Sequence, residues 1–243
     1  MAKEALDKID SRKRERIFRQ AAAEFARHGF HKANINSIAR GAGIGKGSIY
    51  LYFSDKRDLY YSTFKEAVRI QDTIFDHIET MDLDPVVKIE KVFEESMSAF
   101  PKYRHMFKMY FDLSTFGDEK FLGELAHLLE RRSAEFFVKV LTDGIASGTI
   151  RSDLPVKHAA YVIDSVYSIF FATFASRYQR ERFHIFTDGD TSWNGELARR
   201  HMRVILNVLE MGIVLKGPEG KARGKGSSHA GTSREAPSAR GET

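Results

Sequence analysis

The sequence predicts an all-α protein. Apolar residues recur at three- and four-residue spacing as far as residue 216, which is the spacing of one helix face. No segment keeps the alternation of apolar and polar residues that a half-buried strand requires. Prolines and glycines fall between the periodic segments, where helices begin or end. We expect a three-helix N-terminal domain followed by a larger helical domain.

The first predicted helix is amphipathic and is ended by Gly29, because glycine adopts left-handed backbone angles without a steric penalty. A second helix begins after Asn34, and the glycine turn at 41–43 stops it. A third runs from about Gly45 to Tyr52. The apolar residues that we expect in the small core formed by these helices are Ile17, Phe18, Ala21, Ala22, Phe25, Phe30, Ile35, Ile38, Ile49, Phe53 and Leu59.

The outer face of the third helix is small, polar and basic, with Lys46, Ser48 and Tyr50. Two short helices joined by a glycine turn, the second with such a face, form the helix-turn-helix signature of DNA-binding proteins. The distribution of charge along the chain supports this interpretation. Residues 1–60 carry 13 Lys and Arg against 7 Asp and Glu, whereas residues 61–216 carry 20 Lys and Arg against 23 Asp and Glu. A basic N-terminal quarter is expected where only that end meets nucleic acid.

Helical periodicity continues from a long helix near Asp55 through the rest of the chain. Domain bounds follow: a flexible arm at 1–11, a DNA-binding domain at 12–60, a helical domain at 61–216, and a disordered tail at 217–243, which is rich in Gly, Ser, Lys and Arg. The further helices that we predict are 85–100, 101–115, 118–147, 155–181 and 196–215, with a loop at 183–195.

Residues 29–60 resemble the DNA-binding domain of the TetR family of bacterial transcriptional regulators. The matching positions are Gly29, Phe30, Ile35, Ile38, Ala39, Ala42, Gly43, Gly47, Ser48, Ile49, Tyr50, Tyr52, Phe53, Lys56 and Leu59. The likeness extends over about residues 12–62. Asn34 and Gly45 depart from the family pattern, which usually has Thr or Ser at the first position and Ser at the second.

Seven residues are predicted to meet DNA. Asn34 lies where a helix cap meets a phosphate. Gly45 and Gly47 let the backbone approach the duplex, so that Lys46 and Ser48 reach base edges. Tyr50 can contact a thymine methyl group or a phosphate. The resemblance implies phosphate contacts for Tyr52 and Lys56, although packing beside Phe53 is the alternative for Tyr52. The predicted set is Asn34, Lys46, Gly47, Ser48, Tyr50, Tyr52 and Lys56.

The second domain is rich in aromatic side chains. Bulky rings in a thin helical bundle can leave a cavity, although core packing is the alternative for each single ring. The resemblance implies a small-molecule pocket, and the scarcity of charge among these rings predicts an apolar or aromatic effector. Polar groups are available on Tyr103, His105, Tyr110 and Tyr167. The predicted lining is Tyr103, Phe107, Tyr110, Phe111, Phe137, Tyr167, Phe171 and Phe174.

A homodimer is expected, because one helix reads only a few base pairs and such proteins pair across a two-fold axis on a palindromic operator. The last two helices are the predicted interface, since they combine small residues with an apolar face. The residues assigned to it are Ala160, Ser168, Ala172, Val204, Ile205, Val208 and Leu209.

The sequence therefore predicts a cytoplasmic DNA-binding regulator, most readily a repressor that a hydrophobic small molecule releases from its operator. An activator and an effector-independent regulator remain open. With no cysteine, no H-E-x-x-H and no G-x-S-x-G pattern, we expect no enzyme, cofactor or metal. The short His28/His31 pair flanks a helix end. No apolar segment has the length of a membrane span. A helical protein-interaction module is a further alternative.

Overall fold

A computed structural model describes residues 6, 8–115, 118–187 and 195–213. Over these residues the protein is built from helices, as predicted. The predicted arm at 1–11 lies partly outside the described residues, and the predicted tail at 217–243 lies wholly outside them. The helices are α1 (Ser11–Lys32), α2 (Ile35–Gly41), α3 (Lys46–Tyr52), α4 (Lys56–Glu79), α5 (Pro85–Phe111), α6 (Glu119–Ala146), α7 (Val156–Ala175), α8 (Arg177–Thr187) and α9 (Gly195–Ile213).

Short acidic and amide side chains begin most of the early helices. Each accepts a hydrogen bond from a backbone N–H of the first turn, which has no partner within its own helix. Asp55 accepts from the N–H of Asp58 at 2.8 Å, and Asp84, followed by Pro85 at the first helical position, accepts from Val86 at 2.8 Å. The residues that cap helices in this way are Asp10, Asn34, Asp55, Asp84 and Asp118.

Left-handed glycines shape the N-terminal unit as the sequence predicted. Gly29, with φ of 69°, breaks the regular path of α1 just before its last residues. Gly43, with φ of 68°, ends α2, and the N–H of the following Ile44 donates to the carbonyl of Ala39 at 3.0 Å. A side chain with a Cβ is strained at such angles, so glycine fixes both turns.

Three helix boundaries differ from the prediction. The predicted helices 85–100 and 101–115 are one helix, α5, which continues through Pro101 and ends in a 3-10 turn at 112–115. Burial of Phe100 and Met106 on the two sides of the proline outweighs its missing hydrogen bond. The predicted helix 155–181 is two helices, since Ser176 is extended and α8 leaves α7 at 109°. The predicted loop begins later, because α8 includes residues 183–187.

Two apolar clusters form the core. The first joins α1–α3 to the start of α4 and to facing parts of α5 and α6, and includes Phe18, Ile49, Phe64 and Met106. The second lies between the other halves of α4, α5 and α6 and the helices α7 and α9. The predicted domain boundary at residue 60 falls inside α4, so a single helix runs from one cluster into the other. The domain bounds themselves stay a prediction.

Candidate functional site: a nucleic-acid interface and an interior cavity

Helix α3 presents a compact outer face. Ile49 is buried beneath it, whereas Lys46 and Gly47 are exposed and Ser48 is half-exposed. Tyr50 is 43% exposed and Leu51 is 62% exposed. Leu51 was missed by the sequence analysis, although its position between the inward-facing Ile49 and Phe53 is the signal that places it outside. An exposed leucine here can contact a thymine methyl group.

The fold of the subunit does not require glycine at Gly45, which caps α3, or at Gly47 within it. A Cβ on Gly47 would meet no atom within 4 Å, and one on Gly45 would meet only the Ser48 hydroxyl at 3.9 Å. Neither residue has a left-handed backbone. Glycine inside a helix lowers its stability by about 1 kcal/mol relative to alanine. Gly47 therefore weakens α3, and no contact within the subunit requires the absence of its side chain. Open space at this position is what close approach of a duplex requires.

Asn34 remains a phosphate-contact prediction. Its side chain caps α2 by accepting from the N–H of Asn36 at 2.8 Å, and its own N–H donates to Glu24 at 2.9 Å. The cap position is therefore as predicted, and the residue is exposed.

Tyr52 and Lys56 have structural partners that the resemblance did not imply. Tyr52 is 8% exposed, its ring lies 6.4 Å from that of Phe53, and its hydroxyl accepts from the Lys13 ammonium at 3.0 Å. The packing alternative is thus favoured for Tyr52. The Lys56 ammonium donates to the carbonyl of His31 at 2.9 Å, and so holds the end of α1. A phosphate contact by Lys56 stays a prediction.

A cavity of about 110 Å³ lies at the seam between the two apolar clusters. Helices α4, α5, α6 and α7 each contribute to its wall. Phe64, Tyr103 and Met106 belong to the side of the DNA-binding unit, and Ile74, Phe107 and Tyr167 to the opposite side. The remaining lining residues are Ala67, Val68, Ile70, Gln71, Ser96, Ala99, Tyr110, Phe111, Leu129, Glu130, Asp164 and Ser168.

Five of the eight residues that were predicted to line an effector pocket lie in the wall of this cavity. Tyr103, Phe107, Tyr110, Phe111 and Tyr167 line the cavity. Phe137, Phe171 and Phe174 do not, and their assignment was wrong: Phe137 and Phe171 are fully buried among other rings, and Phe174 packs on Phe100 and Phe170. His105 is not in the wall either. An apolar helix such as α7 does not reveal from its sequence which rings face a cavity.

One corner of the cavity is acidic, which the sequence analysis did not foresee. Glu130 of α6 accepts from the Tyr110 hydroxyl at 2.8 Å, and Asp164 of α7 lies close enough to influence its titration. Burial raises the pKa of both carboxyl groups; the neighbouring Asp164 adds to the rise at Glu130, and a Ser133 hydroxyl partly opposes it at Asp164. Burial also raises the pKa of Tyr110, as does the charge of Glu130.

Ion pairs tie the DNA-binding unit to the helices around the cavity. The carboxylate of Glu66, which is 4% exposed, accepts from Arg14 of α1 at 3.1 Å and from Arg69 at 2.7 Å. Lys102 of α5 pairs with Glu15 of α1 at 2.9 Å. These ion pairs connect α4 and α5, which line the cavity, to α1, against which α2 packs.

The C-terminal helices expose apolar side chains. Val204, Val208 and Met211 form a stripe on α9 and are 56%, 60% and 61% exposed. On α7 the exposed apolar residues are Tyr161, Val162 and Ile169, which the sequence analysis missed. Helix α8 buries none of its residues in the subunit.

The predicted interface needs correction at two positions. Ala160 and Ala172 are wrong as interface residues, because both are buried inside the subunit at 2% and 1% exposure. Ile205 and Leu209 pack partly against the second cluster, and Ser168 lines the cavity. Ala160 and Ala172 therefore serve packing within the chain, and the apolar residues that α7 exposes are the larger Tyr161, Val162 and Ile169.

No single helix among those described is long and apolar enough to cross a membrane; the bent pair of α7 and α8 meets that test only when joined. Within the same residues, no group of three His, Asp or Glu side chains is placed to hold a metal ion.

Comparison with known proteins agrees with this arrangement. The family "Bacterial regulatory proteins, tetR family" matches residues 17–62. A "Fatty acid metabolism regulator protein" of Bacillus subtilis is 29% identical over 161 residues, which cover 60% of this chain and 75% of that protein. A "Probable acrEF/envCD operon repressor" of Escherichia coli is 23% identical over 163 residues, 64% and 72% of the two chains.

The fold is also similar to that of solved structures. The regulator FadR of Bacillus subtilis, solved in complex with stearoyl-CoA, superposes with a TM-score of 0.63 at 23% identity, covering 82% of this chain and 98% of that one. At that identity the likeness concerns the fold.

Proposed function

The chain belongs to the TetR family of bacterial transcriptional regulators, and on that premise we propose that it is a homodimeric cytoplasmic repressor, released from a palindromic operator by a small molecule with an apolar body. The observation that carries the proposal is the position of the cavity. Its wall includes Phe64 and Met106, which belong to the same apolar cluster as the core of the helix-turn-helix unit.

DNA binding rests on the outer face of α3. Lys46 begins this helix, is exposed and can donate to guanine acceptors in the major groove, while Gly47 leaves the adjacent backbone uncovered. Basic residues of α1 and α2 add phosphate contacts, which supply most of the affinity and make it depend on salt. The names of relatives agree with repression, since one is called an operon repressor.

Dimerisation is proposed through α7, α8 and α9. The stripes around Ile169 and Val208, together with α8, none of whose residues is fully buried in the subunit, are surfaces that a second copy would cover. Exposed apolar stripes of this kind mark association sites. Two copies would place two α3 helices on neighbouring half-sites of an operator.

Release follows if the ligand prefers the arrangement that does not fit DNA. Filling the cavity would shift α4 against α5, and the Glu66 and Lys102 ion pairs would pass the shift to α1. A ligand can change DNA affinity only by the difference between its affinities for the two arrangements. A tenfold difference corresponds to about 1.4 kcal/mol.

The first test is selection of binding sites from random duplex DNA. We expect a palindrome with half-sites about one helical turn apart. Lys46→Ala should weaken binding to it by about 1–3 kcal/mol if the side chain reads a guanine, with relaxed preference at one base pair. Lys139→Ala is the matched control, because Lys139 is exposed on α6 and pairs only with Asp143. Sequence-indifferent binding by the unaltered protein would contradict the proposal.

Effector response is tested on the selected operator. Fluorescence anisotropy of labelled operator should fall when a ligand of the cavity is added, and a promoter fused to a reporter should then be derepressed. If the ligand raises operator affinity or the reporter falls, the protein is an activator or a co-repressed regulator. A response to no compound in a broad panel of apolar, anionic and cationic ligands would leave an effector-independent regulator.

A further inference from the structure

From the acidic corner of the cavity we infer that the effector is a cationic amine with a small apolar body, held by Glu130 of α6 and Asp164 of α7. This inference rests on the proposed ligand-responsive function and specifies the chemical class of its ligand. It departs from the purely apolar effector that the sequence predicted, because the two carboxyl groups come together only in the folded chain.

The two carboxyl groups have no positive partner in the part of the chain that the structure describes. No Lys, Arg or His there lies within ion-pair distance of either group, although Arg131 and Arg132 follow Glu130 directly in the sequence. Arg131 pairs with Glu135 and Arg132 with Asp76 and Glu79, so both are turned elsewhere. The neighbours of the two carboxyl groups are hydroxyls of Tyr110 and Ser133.

An unpaired carboxylate is costly in such surroundings. Removing a charge from water is unfavourable unless a partner of opposite charge or several hydrogen bonds replace the lost hydration. Two like charges facing one cavity increase the cost. A ligand ammonium group between Glu130 and Asp164 would compensate both, and its N–H groups would be satisfied by the carboxylate oxygens. The pair of carboxyl groups therefore favours a cationic ligand.

The rest of the wall specifies the body of the ligand. Phe64, Met106 and Phe107 offer apolar contact, and the rings of Tyr103 and Tyr167 add faces on which a cation or an aromatic ring can lie. At about 110 Å³ the cavity is smaller than the space of about 150 Å³ that holds a benzene molecule in an engineered protein core. A single ring with a short amine arm therefore enters this cavity only when the wall expands, and larger apolar bodies are disfavoured.

Anionic ligands are disfavoured by the same geometry. A carboxylate or phosphate entering this corner would face Glu130 and Asp164 without a positive partner from the described wall. A bare metal ion is also a poor match, since hard cations take six or more oxygen ligands and most of the wall is apolar. The relative solved with stearoyl-CoA binds a ligand of different head-group chemistry.

The inference is tested with three probes that differ in head group. Binding of 2-phenylethylamine, 2-phenylethanol and phenylacetate to the full chain would be measured by calorimetry at neutral pH. We expect the amine to bind at least about tenfold more tightly than the alcohol, as a charged hydrogen bond provides, and phenylacetate to bind most weakly. Phenylacetate binding as tightly as the amine, equal binding of all three, or binding of none would overturn the inference.

Amide variants locate the effect. Glu130→Gln and Asp164→Asn keep the size of the side chains, and Glu130→Gln keeps an acceptor for Tyr110. Each should weaken binding of the amine far more than binding of the alcohol, and so bring the two affinities to within a few-fold of each other. Glu124→Gln, at an exposed position of the same helix, is the matched control. If one amide variant unfolds, the other provides the test. Unchanged amine preference in a folded variant would contradict the assignment.

Operator release separates this inference from the proposed function. If an uncharged or anionic compound binds in the cavity and releases the operator, the protein is ligand-responsive and the amine assignment is wrong. If the amine binds as expected but leaves operator affinity unchanged, the ligand class stands and the proposed release mechanism fails.

Discussion

Replacing Gly47 by alanine should make the protein more stable and a weaker DNA binder. The residue lies in the first turn of α3, has no left-handed backbone, and leaves the space around a Cβ empty in the subunit. Nothing within the fold therefore opposes the added methyl group. The substitution is thus expected to raise thermal stability and to lower DNA affinity. Because a residue needed for folding would lower both when replaced, the two measurements distinguish a role in DNA binding from a role in folding.

The stabilising effect follows from helix propensity. Alanine is favoured over glycine in a helix by about 0.8–1.0 kcal/mol, which is reduced near a helix end. For a chain of this size, each 1 kcal/mol raises Tm by roughly 2–4 °C. The effect on DNA binding has the other sign. A methyl group inserted where two surfaces meet closely costs roughly 1–3 kcal/mol, and each 1.4 kcal/mol is a tenfold loss of affinity.

Thermal unfolding and operator titration by fluorescence anisotropy measure the two effects. Gly123→Ala is the control, because Gly123 lies exposed within α6 and a Cβ there would also meet nothing within 4 Å. It should raise Tm without changing operator affinity. If Gly47→Ala binds the operator as tightly as the unaltered protein, the backbone of α3 does not approach the duplex as closely as argued, and the glycine has no part in DNA binding.

Three further outcomes follow from the burial and charge of single side chains. Asp164→Asn should raise Tm at neutral pH and lose this advantage as the pH falls towards the ordinary carboxyl range. Because the pKa of Asp164 is raised in the folded protein, folding favours the protonated carboxyl group, and the unaltered protein loses stability as the pH rises. Thermal melts of both proteins across a range of pH measure this difference. Phe137→Ala should cost about 3–5 kcal/mol in denaturant unfolding, with unchanged ligand affinity per folded molecule, whereas Phe107→Ala should weaken ligand binding. Val208→Asp should convert the proposed dimer to a monomer in light scattering, since it places a charge in an apolar stripe at a residue that is 60% exposed in the single subunit. A dimer that persists unchanged would remove α9 from the proposed interface.

The helix-turn-helix unit could be predicted from sequence because its determinants are local. The glycine at position 43, the cap at Asn34 and the inward Ile49 act within a few residues of one another, so their spacing contains most of the geometry. The outward direction of Leu51 was available from the same spacing. The burial of Tyr52 was harder to predict from sequence, because its hydrogen-bond partner Lys13 lies 39 residues earlier, on α1.

Long-range packing decided the features that were missed. Pro101 reads as a helix start, yet α5 continues through it because apolar residues on either side are buried by different clusters. On α7 the apolar residues extend around the helix, so sequence does not distinguish the core ring Phe171 from the cavity ring Tyr167. Glu130 and Asp164 lie on separate helices, and in the sequence each is indistinguishable from an exposed charged residue. Only the packing of α6 against α7 brings the two carboxyl groups to one corner of the cavity.

The cavity and the DNA-binding face are connected by chemistry as well as by position. The acidic corner lies on α6 and α7, and the wall of the same cavity includes Phe64 and Met106, which belong to the apolar cluster of α1–α3. A cation drawn towards Glu130 and Asp164 would leave its apolar body against that wall. On the proposed mechanism, charge would fix where the ligand lies, and the size of its body would determine how far α4 and α5 are displaced. Amines of equal charge and increasing bulk should therefore release the operator to different extents, while the charged group contributes a similar amount to the binding affinity of each. This requires that the cavity expands on the side of α4.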